Sequence, residues 1–330
     1  MPDQLRISEN TEETIESSPS IGEDAPSGKD CRFVVLIPSV RPAEASRLIE
    51  RMDWPGAVIV GASGATPVDS FEIPEREALR VRIESVPIGY ASARNALLDI
   101  ARKAGYSHGI FVDDDIEFVS GGLSELLRTA RRFPEAFVGG KVRRRVENQG
   151  ALARNVLPGS FALAGTSPAS LSANVLVLPL SVESTETRFS VLLDFTGGED
   201  TELTRRAGRQ GVALLQTEDI IAEEVYGSTR GSTHALVRRL ICNHAVLGLI
   251  RDRRTENLVL ASRAVNPSRV GGLLYHSAAI AATLSARFSP SLALSLAKAA
   301  GYGLAKLQLL PTRLNKRYET CSVEFLGGSR

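Results

Sequence analysis

Cysteine is scarce in this sequence of 330 residues: Cys31, Cys242 and Cys321 are the only three, and none stands in a CxxC spacing. That excludes a cysteine zinc site and a disulfide scaffold and suits a reducing compartment, with all three thiols expected to be structural or incidental. A surplus of charge is missing too, since 39 Lys and Arg oppose 38 Asp and Glu for a net charge of +1. No nucleic-acid partner is expected from that balance. A secretory signal is not expected either, because Met1 to Asp30 has no apolar run and carries eight acidic residues against Arg6 and Lys29. Those 30 residues read instead as a disordered acidic arm. With 43% hydrophobic and 23% charged residues, the remaining chain can bury a full-sized core.

From Arg32 the pattern becomes strands alternating with helices. Phe33-Val34-Val35-Leu36-Ile37, ended by Pro38, is the continuous apolar run of a strand buried on both faces of a parallel sheet. A helix is expected over Glu44 to Met52, strands at Ala57 to Val60 and Leu79 to Ile83, and a helix over Ala91 to Ala104 stopped by Gly105. Gly109 to Val112 is a strand that runs straight into Asp113-Asp114-Asp115. A helix over Gly121 to Arg132, a strand at Ala136 to Val138, an irregular basic stretch from Gly140 to Ala173, a strand at Asn174 to Leu178, a helix over Thr201 to Gln210 and a strand at Val212 to Leu215 complete the series. Such alternation implies an α/β sheet with ligands at the carboxyl ends of its strands.

Three features carry chemistry. Three adjacent carboxylates at a strand end repel one another, and a hard divalent cation, Mg²⁺ or Mn²⁺ bridging to substrate phosphates, would neutralise them; the alternative is a solvated acidic turn. In Gly197-Gly198-Glu199-Asp200, Asp200 either caps the following helix or serves an active site that the glycines let a ligand approach. Tyr90-Ala91-Ser92-Ala93-Arg94-Asn95 opens a helix whose free amides, with Arg94, suit a phosphate, unless that arginine is merely solvated.

In their order and spacing, Ile37-Pro38-Ser39, Gly89 to Asn95, Phe111 to Asp115, Asn174 and Gly198-Glu199-Asp200-Thr201-Glu202-Leu203 resemble glycosyltransferase family 2, from about Arg32 to Arg254. The resemblance implies a GT-A fold, Rossmann-like with a mostly parallel central sheet flanked by helices, and inversion at the anomeric carbon. It implies that Asp113 and Asp115 are the ends of a DxD motif that contacts the ribose and Mn²⁺ or Mg²⁺, with Asp114 between them on the donor side. It implies that Asp200 is the catalytic base with Glu199 beside it. Pro38, Ser39 and Arg41 would embrace the nucleotide, Arg94 and Asn95 would lie near the donor, and Asn174 and Gly198 on the acceptor side. The chain departs from the pattern in two places. Val60 is followed by Gly61-Ala62-Ser63 rather than by an Asp for uracil, so the donor base stays open. In place of a late His stands Ala222-Glu223-Glu224-Val225, followed by Arg230 and Arg238-Arg239, an order like that of a membrane-associated subset. Either Glu223 or Glu224 contacts metal or acceptor there, or the pair makes surface ion pairs. His108, His234, His244 and His276 form no set, and of the four His234 was the best candidate for a functional contact.

The expected partners are a nucleotide-sugar donor and a hydroxyl acceptor, lipid-linked in one version. Residues 257 to 330 are expected to form a basic amphipathic helical extension, because Asn257 to Tyr318 has eight basic residues and no Asp or Glu. Its longest uncharged run, Val270 to Ala286, has 17 residues, short of the ~20 a spanning helix needs. Two helices hinged at Ser289-Pro290 would lie on an anionic membrane, on the inner cytoplasmic face, or pack on the catalytic domain or a second subunit in a homo-oligomer. Two rivals to sugar transfer are a sugar nucleotidyltransferase and a noncatalytic membrane-associated scaffold of the same fold. Ile37-Pro38-Ser39-Val40-Arg41-Pro42 lacks the glycines the first would need, and retention of Asp115 and Asp200 opposes the second.

Overall fold

The structure, a computed structural model, describes residues 31–64, 66–73, 78–146, 168–181, 187–194, 197–226, 232–251, 269–286 and 288–306. The expected acidic arm, Arg230, most of the irregular basic stretch, and the beginning and end of the C-terminal extension lie outside them.

Eight strands among the described residues form one sheet: β1 (Phe33–Ser39), β2 (Ala57–Ser63), β3 (Arg80–Val86), β4 (His108–Val112), β5 (Ile116–Phe118), β6 (Phe137–Val146), β7 (Val175–Pro179) and β8 (Leu214–Tyr226). Their order is β3-β2-β1-β4-β7-β6-β8-β5. The first four are parallel, as the apolar runs implied. The other half is less parallel than expected: β7 runs antiparallel to both β4 and β6, β8 is parallel to β6, and β5 is antiparallel to β8. The α/β class holds, with a mixed sheet.

Helices cover both faces. On β1, Val35 and Ile37 face α1 (Pro42–Arg51) and α3 (Gly122–Arg132) through Leu48, Ile49, Leu123 and Leu126. Val34 and Leu36 face the other way, toward Leu97, Leu98 and Ala101 of α2 (Tyr90–Lys103) and Leu203 and Ala207 of α4 (Glu199–Arg209). A strand sandwiched like this needs apolar residues at successive positions, which is why its run is unbroken.

Three departures from expectation matter for the site. The strand expected to end at Val138 continues to Val146, and the one expected to end at Leu215 continues to Tyr226, because the two pair along their length. Arg143-Arg144-Arg145 on β6 faces Glu223-Glu224 on β8, so cross-strand ion pairs add to the pairing at this end of the two strands. The short β5, directly after the Asp triplet, pairs Ile116 with Glu224 and Phe118 with Ala222.

After the sheet, α5 (Thr233–Arg251), α6 (Arg269–Ser285) and α7 (Pro290–Lys306) pack together. Leu236, Val237, Ile241 and Ala245 of α5 meet Ala279, Ala282, Ala293, Ala297 and Leu304, and Leu193 from the short turn before α4 joins the cluster. The break between α6 and α7 falls at the expected hinge.

Candidate functional site

The strand order places β1 between β2 and β4, so the chain's direction of progress reverses between β1 and β4. Crevices at such a point, beyond the carboxyl ends of the strands, are where open α/β sheets hold ligands. Ser39 and Arg41 come from the end of β1, and Asp113, Asp114 and Asp115 from the end of β4. Pro38 is the last-but-one residue of β1, in register with Gly61 of β2. Asp114 is buried and joins the two strand ends: Ser39 Oγ donates to it at 2.6 Å, Arg41 Nε donates at 3.2 Å, and Arg41 Nη2 pairs with both Asp114 and Asp115, the latter at 3.4 Å. Burial pushes the Asp114 carboxyl upward against the opposing pull of Arg41 and Ser39.

Asp113 turns toward α2. Arg94 Nη2 donates to it at 2.8 Å, while Arg94 Nη1 donates to Glu199 of α4. Arg94 and Glu199 are both buried, and the carboxylates around the guanidinium hold it charged despite the burial, which opposes charge. Its Nε has no hydrogen-bond partner among the described residues. Asp113 is pushed up to about 7, first by burial and then by the crowding of Asp115, Asp114 and Glu224, against the pull of Arg94. The alternative of a merely solvated Arg94 does not hold, because the side chain is buried.

Asp200 is not an N-cap. The helix begins at Glu199, and its N-cap is Gly198 in a left-handed conformation, φ 88°, after Gly197 at φ 75°. Two successive left-handed residues suit glycine, so backbone geometry accounts for the pair. Asp200, half-buried in the first turn, accepts hydrogen bonds from the Ala173 amide at 3.1 Å and the Thr201 amide at 2.6 Å.

Glu223 and Glu224, adjacent on β8, point to opposite faces. Glu223 pairs with Arg143 and Arg145 on β6, at 2.8 Å and 3.3 Å, as surface ion pairs. Glu224 is buried, accepts from Asn174 Nδ2 at 3.0 Å and Arg144 Nε at 3.1 Å, and contributes to the electrostatics of Asp113. Asp113 N donates to Asn174 O at 3.0 Å, so the triplet and Asn174 share one corner. The open choice between the glutamates resolves in favour of Glu224 for contact with this cluster.

Two expected donor contacts are already occupied. The anion at the start of α2 is Asp194: it accepts from Ser92 N at 2.6 Å and from Ser92 Oγ, and Tyr90 N donates to its carbonyl at 3.1 Å. Gly89, at φ 118°, is needed there because a Cβ would lie 2.4 Å from Asp194 Cγ. Asn95 donates to the Phe189 carbonyl at 2.9 Å and accepts from the Phe189 amide at 2.9 Å, which ties α2 to the segment that leads to Asp194. Asp194, Arg144 and the Ala173 amide were not singled out in the sequence, since each acts on residues dozens of positions away. The histidines stand apart: His234 meets Thr283 at 3.2 Å, His108 lies buried between Ser107 and the Pro134 carbonyl, and His244 stacks obliquely against Tyr302. Burial lowers His108 and His244 from the ordinary histidine value.

Asp113, Asp115 and Glu224 supply the oxygen chemistry that a hard divalent ion takes. Among the described residues no group of three His, Cys, Asp or Glu side chains is placed to hold a metal ion. An Mg²⁺ or Mn²⁺ ion here would take one or two carboxylates and complete its shell with water and substrate phosphates.

No protein-family model matches the chain, and no curated protein does. Solved structures to which it is similar include GalNAc-T7 with UDP, GalNAc and Mn²⁺, at a TM-score of 0.41 and 11% identity over 64% of this chain and 47% of that one. Another is S. aureus TarS 1-349 in complex with UDP-GlcNAc, at a TM-score of 0.45 and 14% identity over 87% of this chain and 92% of that one. The chain thus spans just under half the length of the first of these.

Proposed function

We propose that this protein is a glycosyltransferase of the GT-A type that moves a sugar from a nucleotide-sugar donor to a hydroxyl acceptor. The observation that carries the reading is the meeting, in one crevice, of Asp113–Asp115, Arg94, Glu199–Asp200 and Glu224 from four separate elements. Donor diphosphate faces the Asp triplet and Ser39 and Arg41 in this reading, and the acceptor lies toward Asn174 and Gly198. Asp113 and Asp115 would hold the Mn²⁺ or Mg²⁺ ion, which would offset charge on the leaving diphosphate.

Division of labour between the two carboxylates of α4 follows from their surroundings. Glu199 is neutralised by Arg94 in a buried pair, so it serves as a positioning residue. Asp200, half-exposed at the helix start, is the base: it takes the acceptor proton as the hydroxyl oxygen bonds to the anomeric carbon and the bond from that carbon to the diphosphate breaks. One base without a second, nucleophilic carboxylate implies a single displacement with inversion. General base catalysis of this kind contributes ~10²–10⁴-fold. On this reading the acceptor belongs to a cell-envelope polysaccharide or glycolipid, and the enzyme works peripherally at the inner face of a membrane, which the acid-free C-terminal extension supports.

The experiment is a panel of nucleotide sugars with Mn²⁺ or Mg²⁺, read by release of nucleoside diphosphate. Release from at least one donor, abolished by chelation, is expected. Release of pyrophosphate from a sugar phosphate and nucleoside triphosphate instead would make the protein a nucleotidyltransferase.

A further inference from the structure

The helices α6 and α7 bury only their inner faces. Ala279, Ala282, Ala293 and Ala297 pack inward, whereas Ile280 and Leu284 on α6 and Leu292 and Leu296 on α7 face outward at four-residue spacing. Between them Phe288 stands at the turn with 88% of its surface exposed, and Ile280, Leu284 and Leu292 are each at least 50% exposed. Single exposed leucines are ordinary on a protein surface, but an apolar ridge along both arms and the tip of a hairpin is the mark of a docking face. The turn is held in shape: Phe288 N and Ser289 N donate to Ser285 O at 3.1 Å and 2.8 Å, and Leu292 N donates to Ser289 Oγ at 3.2 Å.

Charge identifies the occupant. No Asp or Glu occurs from Asn257 to Tyr318, while Arg287 adjoins Phe288 in sequence and Lys298 lies exposed on α7. Exposed apolar side chains in a segment that has basic residues and no acid complement an anionic lipid surface. A second copy packed symmetrically on this ridge would set the basic residues near their own equivalents, with no acid in the segment to pair them. No helix among the described residues is long and apolar enough to cross a membrane.

We propose that the α6–α7 hairpin is a peripheral anchor that inserts Phe288, with Ile280, Leu284 and Leu292 beside it, into the headgroup–acyl boundary of an anionic bilayer. This rests on the peripheral placement given under the proposed function and is independent of the transfer chemistry. The test uses the full chain with phosphatidylcholine vesicles, with and without phosphatidylglycerol. Trp54 is the single tryptophan and is buried against the Ala57 carbonyl, so Phe288→Trp adds one reporter at the tip. Its emission should shift to the blue with phosphatidylglycerol vesicles and stay put with phosphatidylcholine alone. The wild-type chain should sediment with the anionic vesicles, and Leu284→Ser/Phe288→Ser should bind at least about tenfold more weakly with an unchanged melting temperature.

If the wild-type chain does not sediment, peripheral placement itself fails, whatever its activity on nucleotide sugars. Wild-type sedimentation with no shift at position 288, or with full binding by the double variant, overturns the hairpin as the anchor. Equal binding to both vesicles removes the electrostatic half of the proposal. A dimer that the double variant loses would assign the ridge to a second copy.

Discussion

Arg94 and Glu199 form a buried ion pair across 105 residues of sequence, and the same guanidinium holds Asp113. Through this one side chain the strand end that carries the Asp triplet and the helix start that carries Asp200 are kept in register. Removing one partner of a buried pair leaves the other charge uncompensated. Arg94→Met should therefore destabilise the protein by about 3–5 kcal/mol, measured by urea unfolding. Arg94→Lys should recover part of that loss but lose the second contact, because an ammonium cannot span two carboxylates as a guanidinium does. A fully stable Arg94→Met protein would show that the pair does not organise the site.

Asp200 and Glu199 should both lose rate on amide substitution, with the larger loss of stability at Glu199. Asp200→Asn keeps a carbonyl oxygen for only one of the Ala173 and Thr201 amides, so it should cost about 1–3 kcal/mol of stability while transfer falls by at least ~10²-fold. Glu199→Gln should lose stability as well as rate, since it unpairs Arg94. Near-wild-type transfer by Asp200→Asn is incompatible with its role as base.

The crowding around Asp113 makes a pH prediction for the chelated, metal-free protein. Its folded-state pKa, about 7, lies above the ordinary carboxylate value of 3.8, so the folded state binds the proton more tightly. The favourable contribution of the protonated form is present below the unfolded value and is lost as pH rises through 7. Asp113→Asn removes that loss. Its melting temperature should equal or exceed wild type at pH 8 in EDTA, with the advantage shrinking toward pH 5. A melting temperature lower than wild type at pH 8 would mean that the ionised carboxylate is needed to satisfy Arg94.

Glu223 and Glu224 are neighbours with different expected phenotypes. Glu224→Gln should weaken divalent-dependent donor binding, read by calorimetry. Glu223→Gln, whose partners Arg143 and Arg145 lie at the surface, should leave donor binding intact. Equal loss of binding in both variants would contradict the opposite-face arrangement.

Asp194 gives a structural control. Asp194→Ala should cost about 1 kcal/mol or somewhat more, because it uncovers the first-turn amides of α2. If loss of stability is small but donor affinity rises, the amides freed at Ser92 have become a phosphate site.

The unbroken apolar run of β1, the apolar strand before the Asp triplet and the glycine stops around α2 were legible in the sequence, because burial on two faces and left-handed turns each restrict residue type locally. So were the position of Asp113 just after a buried strand, that of Asp200 at the start of a helix, and the acid-free C-terminal segment. The sequence could not show that β6 and β8 continue to Val146 and Tyr226, because the charged runs Arg143-Arg144-Arg145 and Glu223-Glu224 become strand only by pairing with each other across about 80 residues. For the same reason it could not choose Glu224 over Glu223; that choice depends on strand register, which fixes the face each side chain takes. Nor could it reveal that Arg94 is buried between two carboxylates or that Asp194 occupies the start of α2. Those facts depend on long-range packing that brings charges together from positions about a hundred residues apart, and no local pattern records where a charge finds its partner.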